Sequence, residues 1–280
     1  MYYFKLLLIS SKTSFSSEIS LQHLGGKIST MLLGIKDKII TIPFEHFVLD
    51  PWPYLLKRQS YKTAFSGIWP FSNIAQLTPA KMGFETYCRI NRAGKLDLNG
   101  ATSQVSDPIK ATGDFAVDFI KANKTAPFML YHTISYDSKL GMEASVREMD
   151  ACVGRIQRTL IQEGLQQKTI IIFTADGASA QAGSIDFKLS KMPSGIKRPG
   201  QLPKSLNQLS NLGAQVPLII SAPFLIPKMG FYTRDLVDSS DFFPTIADLC
   251  GLRSSEKLDG LRGMVGFEQL KLTNKTLSGC

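Results

Sequence analysis

The chain has 280 residues, 44% of them apolar and 20% charged, a globular composition long enough for one large α/β domain or two small ones. Its net charge of +9 favours anionic partners such as sulfate or phosphate esters, acidic glycans or nucleic acid. No stretch reaches the roughly 18–20 apolar residues that span a bilayer. The four cysteines, Cys88, Cys152, Cys250 and Cys280, form no CxxC pair, so neither a zinc ribbon nor a dense disulfide framework is indicated.

In chain order, the opening MYYFKLLLIS is apolar but interrupted by Lys5 and lacks a small-residue cleavage site. It reads as a buried first strand, Lys5–Ile9, rather than a signal peptide. Further strand-length apolar runs are Ile39–Ile42, Pro127–Thr133, Thr169–Thr174 and Pro217–Ser221. Several are continuous rather than alternating, the pattern of strands covered on both faces. Between them, Val146, Met149, Val153, Ile156 and Leu160 repeat at spacings of three and four. This predicts an amphipathic helix over Met142–Glu163 with Gly164 at its C-terminal cap. A second helix is expected from near Pro244 to Gly251. Ser179 to Ser210 reads as a long loop rich in Gly, Pro, Ser and Lys. The alternation of strands and helices predicts an α/β fold, a sheet layered between helices. The basic residues are scattered apart from a loose group at Lys188, Lys191, Lys197, Arg198 and Lys204. No nucleic-acid motif accompanies them, so no nucleic-acid partner is expected.

One run poses a chemical question. KTIIIFTADGAS, Lys168 to Ser179, is a buried strand ending on a single acid, Asp176, before a turn of small residues. A metal or phosphate site at a sheet end would account for it, and so would a turn capped by Asp.

Four segments in order resemble the sulfatase family of the alkaline-phosphatase superfamily. SYKTAFSGIWPF (Ser60–Phe71) is similar to Gly-Tyr-x-Thr-Ala-x-x-Gly-Lys-Trp-His, and MGFETY (Met82–Tyr87) to Gly-Phe-Asp-x-x-Tyr. APFMLYHT, VREMDACVGRI and the run into Asp176 resemble the family's Pro-Phe-Phe-Leu-Tyr strand, its Met-Asp-x-x-Val-Gly-Arg-Ile helix and its Thr-Ser-Asp-Asn-Gly strand end. VPLIISAP, LVDSSDFFPTIADLCGL and Leu258-Asp259-Gly260 resemble the remaining landmarks. The resemblance covers residues 52–262 and implies a single sulfatase-like domain over 1–280, with the smaller C-terminal subdomain abbreviated or absent. It implies a mostly parallel central sheet sandwiched between helices.

It also implies a metal-dependent hydrolase of sulfate or phosphate esters acting on a small-molecule or glycan ester. Asp176 stands at the metal-ligand position. The cofactor implied is a divalent cation, calcium first, otherwise magnesium, manganese or zinc, and open to loss in this chain. An extracytoplasmic or lysosome-like compartment is the family's expectation. Oligomeric state is not legible.

Several positions depart from the family pattern. Gly177 replaces the Asn or His after the metal Asp. Ile68 and Pro70 replace a Lys and a His, and Tyr136-Asp137-Ser138 lacks the expected His. His132 lies inside a strand and is expected to be a satisfied buried histidine. Asn211 to Gln215 replaces Glu-Gly-Gly-x-Arg, and Lys204 lies near but off register from the family's ester-contacting Lys. The family's first strand ends in a pair of Asp ligands, whereas this one runs into Ser10-Ser11-Lys12. Glu18 or Asp37 could substitute, or the true start could lie upstream.

Cys88-Arg89-Ile90-Asn91-Arg92 mimics the family's nucleophile motif but lacks its Pro or Ala and follows MGFETY instead of preceding SYKTAF. A second candidate comes from phosphoglycerol and lipoteichoic-acid transferases of the superfamily, which use a Thr nucleophile in a small-residue segment. In GGKISTMLLGI, Gly25–Ile35, Ser29 or Thr30 stands in the matching place, either as nucleophile or as an ordinary helix N-cap. The alternatives to a hydrolase are a catalytically inactive binding or scaffold relative and a transferase relative using Thr30.

Overall fold

The computed structural model describes residues 5–12, 51–69, 78–91, 94–135, 141–175, 216–226 and 241–250, with single positions at 230, 232 and 237. The strands are β1 (Lys5–Lys12), β2 (Lys62–Ile68), β3 (Thr86–Ile90), β4 (Leu96–Leu98), β5 (Ala101–Ser103), β6 (Phe128–Ser135), β7 (Thr169–Ala175) and β8 (Leu218–Ser221). They form one eight-stranded sheet in the order β5-β4-β3-β2-β6-β1-β7-β8. Its centre, from β3 to β7, is parallel, and β4, β5 and β8 add antiparallel pairings at the two edges. The predicted α/β class holds, and four of the five expected strands lie where the apolar runs put them. The fifth, Ile39–Ile42, lies outside the described residues.

Alternation along each central strand feeds two separate cores. On one face Phe65, Met129, Tyr131, Ile170 and Ile172 pack with Leu56 of α1 (Trp52–Arg58) and with Phe243 and Ile246 of α4 (Phe242–Leu249). On the other, Ala64, Phe128, Leu130 and Ile134 pack with Ala116 and Ile120 of α2 (Pro108–Ala122) and with Ile156 and Leu160 of α3 (Gly141–Gln162). Both faces of the central strands are therefore covered, which is why their runs are continuously apolar.

The helix expected over Met142–Glu163 is α3, and four of the five stripe residues, Met149, Val153, Ile156 and Leu160, pack in the core as predicted, while Val146 does not. Val146 is 49% exposed, while Ser145, Cys152, Ile156, Thr159 and Leu160 are buried. Small polar residues fill positions where α3 lies close over the sheet and α2, so an apolar count misses them. At its end Gly164 has φ +66°. Its N–H donates to the Ile161 carbonyl at 3.0 Å, and the Leu165 N–H donates to the Leu160 carbonyl at 2.7 Å. This paired closure, with Leu160 and Leu165 in the same core, is a Schellman cap. The helix expected near Pro244 starts two residues earlier, at Phe242, leaving Pro244 inside the first turn where its missing N–H costs nothing.

Two elements carry clear local signals that the apolar runs do not show. Helix α2 begins where the Asp107 carboxylate accepts from the Lys110 N–H at 2.8 Å, with Pro108 in the first turn. Strands β4 and β5 are joined by Asn99 and Gly100, both at positive φ, the two-residue turn that matches hairpin twist.

Candidate functional site

In an open α/β sheet, ligands bind beyond the carboxyl ends of the strands, where successive connections leave in opposite directions. Here the chain passes from β1 over β6 to β2 on one side, and from β6 over β1 to β7 on the other. The switch point therefore lies at the ends of β1 and β6, with β2 and β7 beside them. Register aligns Ser10 with Thr133 and Thr174, Ser11 with Ile134 and Ala175, and Lys12 with Ser135.

The β2 side of this edge is held by a close approach that the sequence signals through one glycine. Gly67 has φ +110°, and a Cβ there would overlap the Thr133 carbonyl oxygen. The Thr133 hydroxyl in turn donates to the Ile68 carbonyl at 3.1 Å. Trp69, the next residue, is 1% exposed and meets Phe65 edge-on with ring centroids 4.7 Å apart. The Gly-x-Trp part of this segment thus does packing work: glycine admits β6, and tryptophan anchors the strand end in the core.

Of the site residues expected from the sequence, Asp176, Ser29, Thr30 and Lys204 lie outside the described residues. Asp176 follows directly on Ala175, the last residue of β7. The described strand residues of β1, β2, β6 and β7 contain no Asp or Glu, only hydroxyls and Lys12 at their carboxyl ends. No group of three or more His, Cys, Asp or Glu among the described residues could hold a metal ion.

His132 is buried as expected, at 1% exposure, but it is not satisfied. Its Nδ1 has no hydrogen-bond partner, and its Nε2 lies 3.5 Å from the Cys152 sulfur on α3. Burial pushes its pKa down to about 4, the Arg155 charge adds to this, and the Ser66 backbone opposes it. It is a neutral core imidazole beneath α3. Cys88 is no nucleophile: it lies in β3 at 1% exposure, and burial with the nearby Asp97 raises its pKa to about 11. A shallow groove of about 460 Å³ is lined by Asp114, Arg155, Thr159 and neighbours on α2 and α3, away from the strand ends.

The sulfatase family model matches residues 143–252, the stretch carrying α3, β7, β8 and α4. Over that stretch the chain is similar to sulfatases, and curated sulfatases match it as well. It is 26% identical to human (Homo sapiens) arylsulfatase K over 162 residues, 51% of this chain and 26% of that protein. It is 31% identical to human steryl-sulfatase over 151 residues, 49% of this chain and 25% of that one. The matched stretch thus spans about a quarter of each relative's length. Among solved structures, Ps i-CgsB superposes with a TM-score of 0.69 at 18% identity, covering 96% of this chain and 77% of that one. BT4656, solved with its substrate D-glucosamine-2-N,6-O-disulfate, gives 0.65 at 14% identity, covering 93% and 79%. A Vibrio parahaemolyticus protein of the alkaline-phosphatase superfamily gives 0.54 at 13%, covering 91% and 68%. These likenesses are of fold.

Proposed function

We propose that this chain is a sulfuric ester hydrolase whose substrate presents its sulfate group to the carboxyl edge of β1, β6 and β7. The observation that carries the reading is the family match over residues 143–252, because that stretch supplies β7 and the helices on either side of this edge. A sulfated small molecule or glycan is the substrate class, by analogy with the relatives' names and with the disulfated glucosamine bound by BT4656. In this reading an enzyme alcohol attacks sulfur, the S–O bond to the leaving group breaks, and the substrate's alcohol departs with the attacking hydroxyl's proton; water then cleaves the enzyme sulfate ester, which releases sulfate and restores the hydroxyl. Ser29 and Thr30 are the candidate attacking hydroxyls. The described residues contribute rigidity: the Gly67–Thr133 contact and buried Trp69 fix the strand ends that face the ester.

A second reading is a relative that binds a sulfated ligand without turning it over, favoured by the lack of Asp and Glu among the described residues of β1, β2, β6 and β7. One assay separates the two. The purified chain is incubated with 4-methylumbelliferyl sulfate and, in parallel, with its phosphate counterpart, in EDTA and in excess calcium. Sulfate-selective release that falls at least about a hundredfold in Thr30→Ala or Ser29→Ala supports the hydrolase. No release under any condition supports the binding relative.

A further inference from the structure

His132 shares a face of β6 with Phe128, Leu130 and Ile134, the face that α3 covers. Its Nε2 lies 3.5 Å from the Cys152 sulfur on α3, and its Nδ1 has no hydrogen-bond partner. Arg155, further along α3, bonds the Cys152 thiol and also donates to Asp114 of α2. Across the sheet His132 is level with Ser66 of β2, with Ile9 of β1 and, beyond β1, with Phe173 of β7, none of them acidic or basic. Glu143, Glu148 and Asp150 of α3 are exposed to solvent.

Between pH 7 and pH 5 only the imidazole of this cluster changes charge. Burial keeps the Cys152 thiol protonated, Asp114 stays ionised beside Lys110 and Arg155, and the guanidinium is fixed. A proton on His132 therefore meets a neutral thiol and a nearby cation, with the Ser66 backbone opposing them. Relief requires water at the ring, and the surrounding elements differ in how readily they admit it. β6 is held on both sides by backbone ladders to β1 and β2. α3 is held through side chains, and unevenly. Val153, Ile156 and Leu160 anchor its second half in the core. Its first half buries Ser145 and Cys152, packs Met149 in part and leaves Val146 exposed. Little apolar area resists opening there. That half also leads away from the carboxyl edge, since β6 ends at Ser135 and α3 begins at Gly141.

We propose that His132 is an acid-operated switch: its protonation frees the first half of α3, Gly141–Cys152, from the sheet and opens the core next to the carboxyl edge while the rest of the fold stays closed. The switch requires no turnover, so it holds or fails apart from the hydrolase reading.

The buried thiols report the opening. Cys152 lies in the segment that opens, whereas Cys88 in β3 and Cys250 after α4 are buried elsewhere. The full chain is labelled with dithiodipyridine at pH 7 and at pH 5. Peptide mass spectrometry gives the rate at each cysteine relative to the urea-unfolded chain at the same pH, which cancels the intrinsic pH dependence of the thiol. With the His132 pKa at about 4 when closed and at 6.5 when open, the open fraction should rise about twentyfold from pH 7 to pH 5. Cys152 labelling should follow that rise, while Cys88 and Cys250 change no more than a few-fold. His132→Leu should abolish the pH dependence at Cys152, with circular dichroism as the check on folding and His132→Gln in reserve should the leucine variant not fold. Cys152 labelling that is the same at both pH values, that rises together with Cys88 and Cys250, or that rises equally in the variant overturns the proposal.

Discussion

His132 ties the stability of this protein to pH. In the folded chain its pKa lies near 4 against an ordinary value of 6.5, with burial as the main cause. The unfolded chain therefore takes up a proton that the folded chain refuses. Stability from this group is complete above about pH 6.5 and is lost progressively as pH falls toward 4, where the folded imidazole also protonates. Integrating between pH 7 and pH 5, this single group costs about 2 kcal/mol. The imidazolium is disfavoured by burial and by the Arg155 charge, and the Ser66 backbone offsets this only in part. The perturbation is His132→Leu, which removes both the titration and the unpartnered Nδ1 while keeping an apolar side chain of similar size. Urea unfolding of parent and variant at pH 7 and pH 5 reads the effect. The parent should lose about 2 kcal/mol more than the variant over that interval, because the other titrating groups are common to both. Equal losses in the two proteins would refute the reasoning and mean that His132 is hydrated or hydrogen-bonded in solution.

Gly67→Ala should destabilise the fold by about 3 kcal/mol or more, because the added methyl meets the Thr133 backbone at a positive-φ position. A urea midpoint within error of the parent would show that β2 and β6 can separate cheaply. Asp114 accepts from Lys110 at 2.6 Å and from Arg155 at 2.5 Å, and these cations hold its carboxyl below the usual range. At 41% side-chain exposure the ion pair is largely solvent-screened, so Asp114→Asn should cost less than about 1 kcal/mol. A loss above about 3 kcal/mol in thermal or urea unfolding would mean that the α2–α3 bridge is effectively buried.

Local chemistry made much of the fold legible. Continuous apolar runs announced β1, β6, β7 and β8, since strands covered on both faces carry no polar alternation. A three-four repeat announced α3, and Gly164 announced its end. Other signals were equally local and simply not apolar: Asp107-Pro108 opening α2, and Asn99-Gly100 closing the β4–β5 hairpin. The stripe on α3 held at Met149, Val153, Ile156 and Leu160, and it missed that burial there belongs also to Ser145, Cys152 and Thr159, small side chains that an apolar count does not pick up.

What only the tertiary structure decided is adjacency. Gly67 marks a close approach without naming Thr133 as its partner, and 132 and 152 carry no sequence mark of their contact, because strand order and register are set by long-range pairing of cores and not by neighbouring residues. The same holds for the candidate site. The sequence by itself showed a serine-serine-lysine ending where a family pattern has acids. Only the placement of β1 between β6 and β7 puts that ending at the centre of the sheet's carboxyl edge.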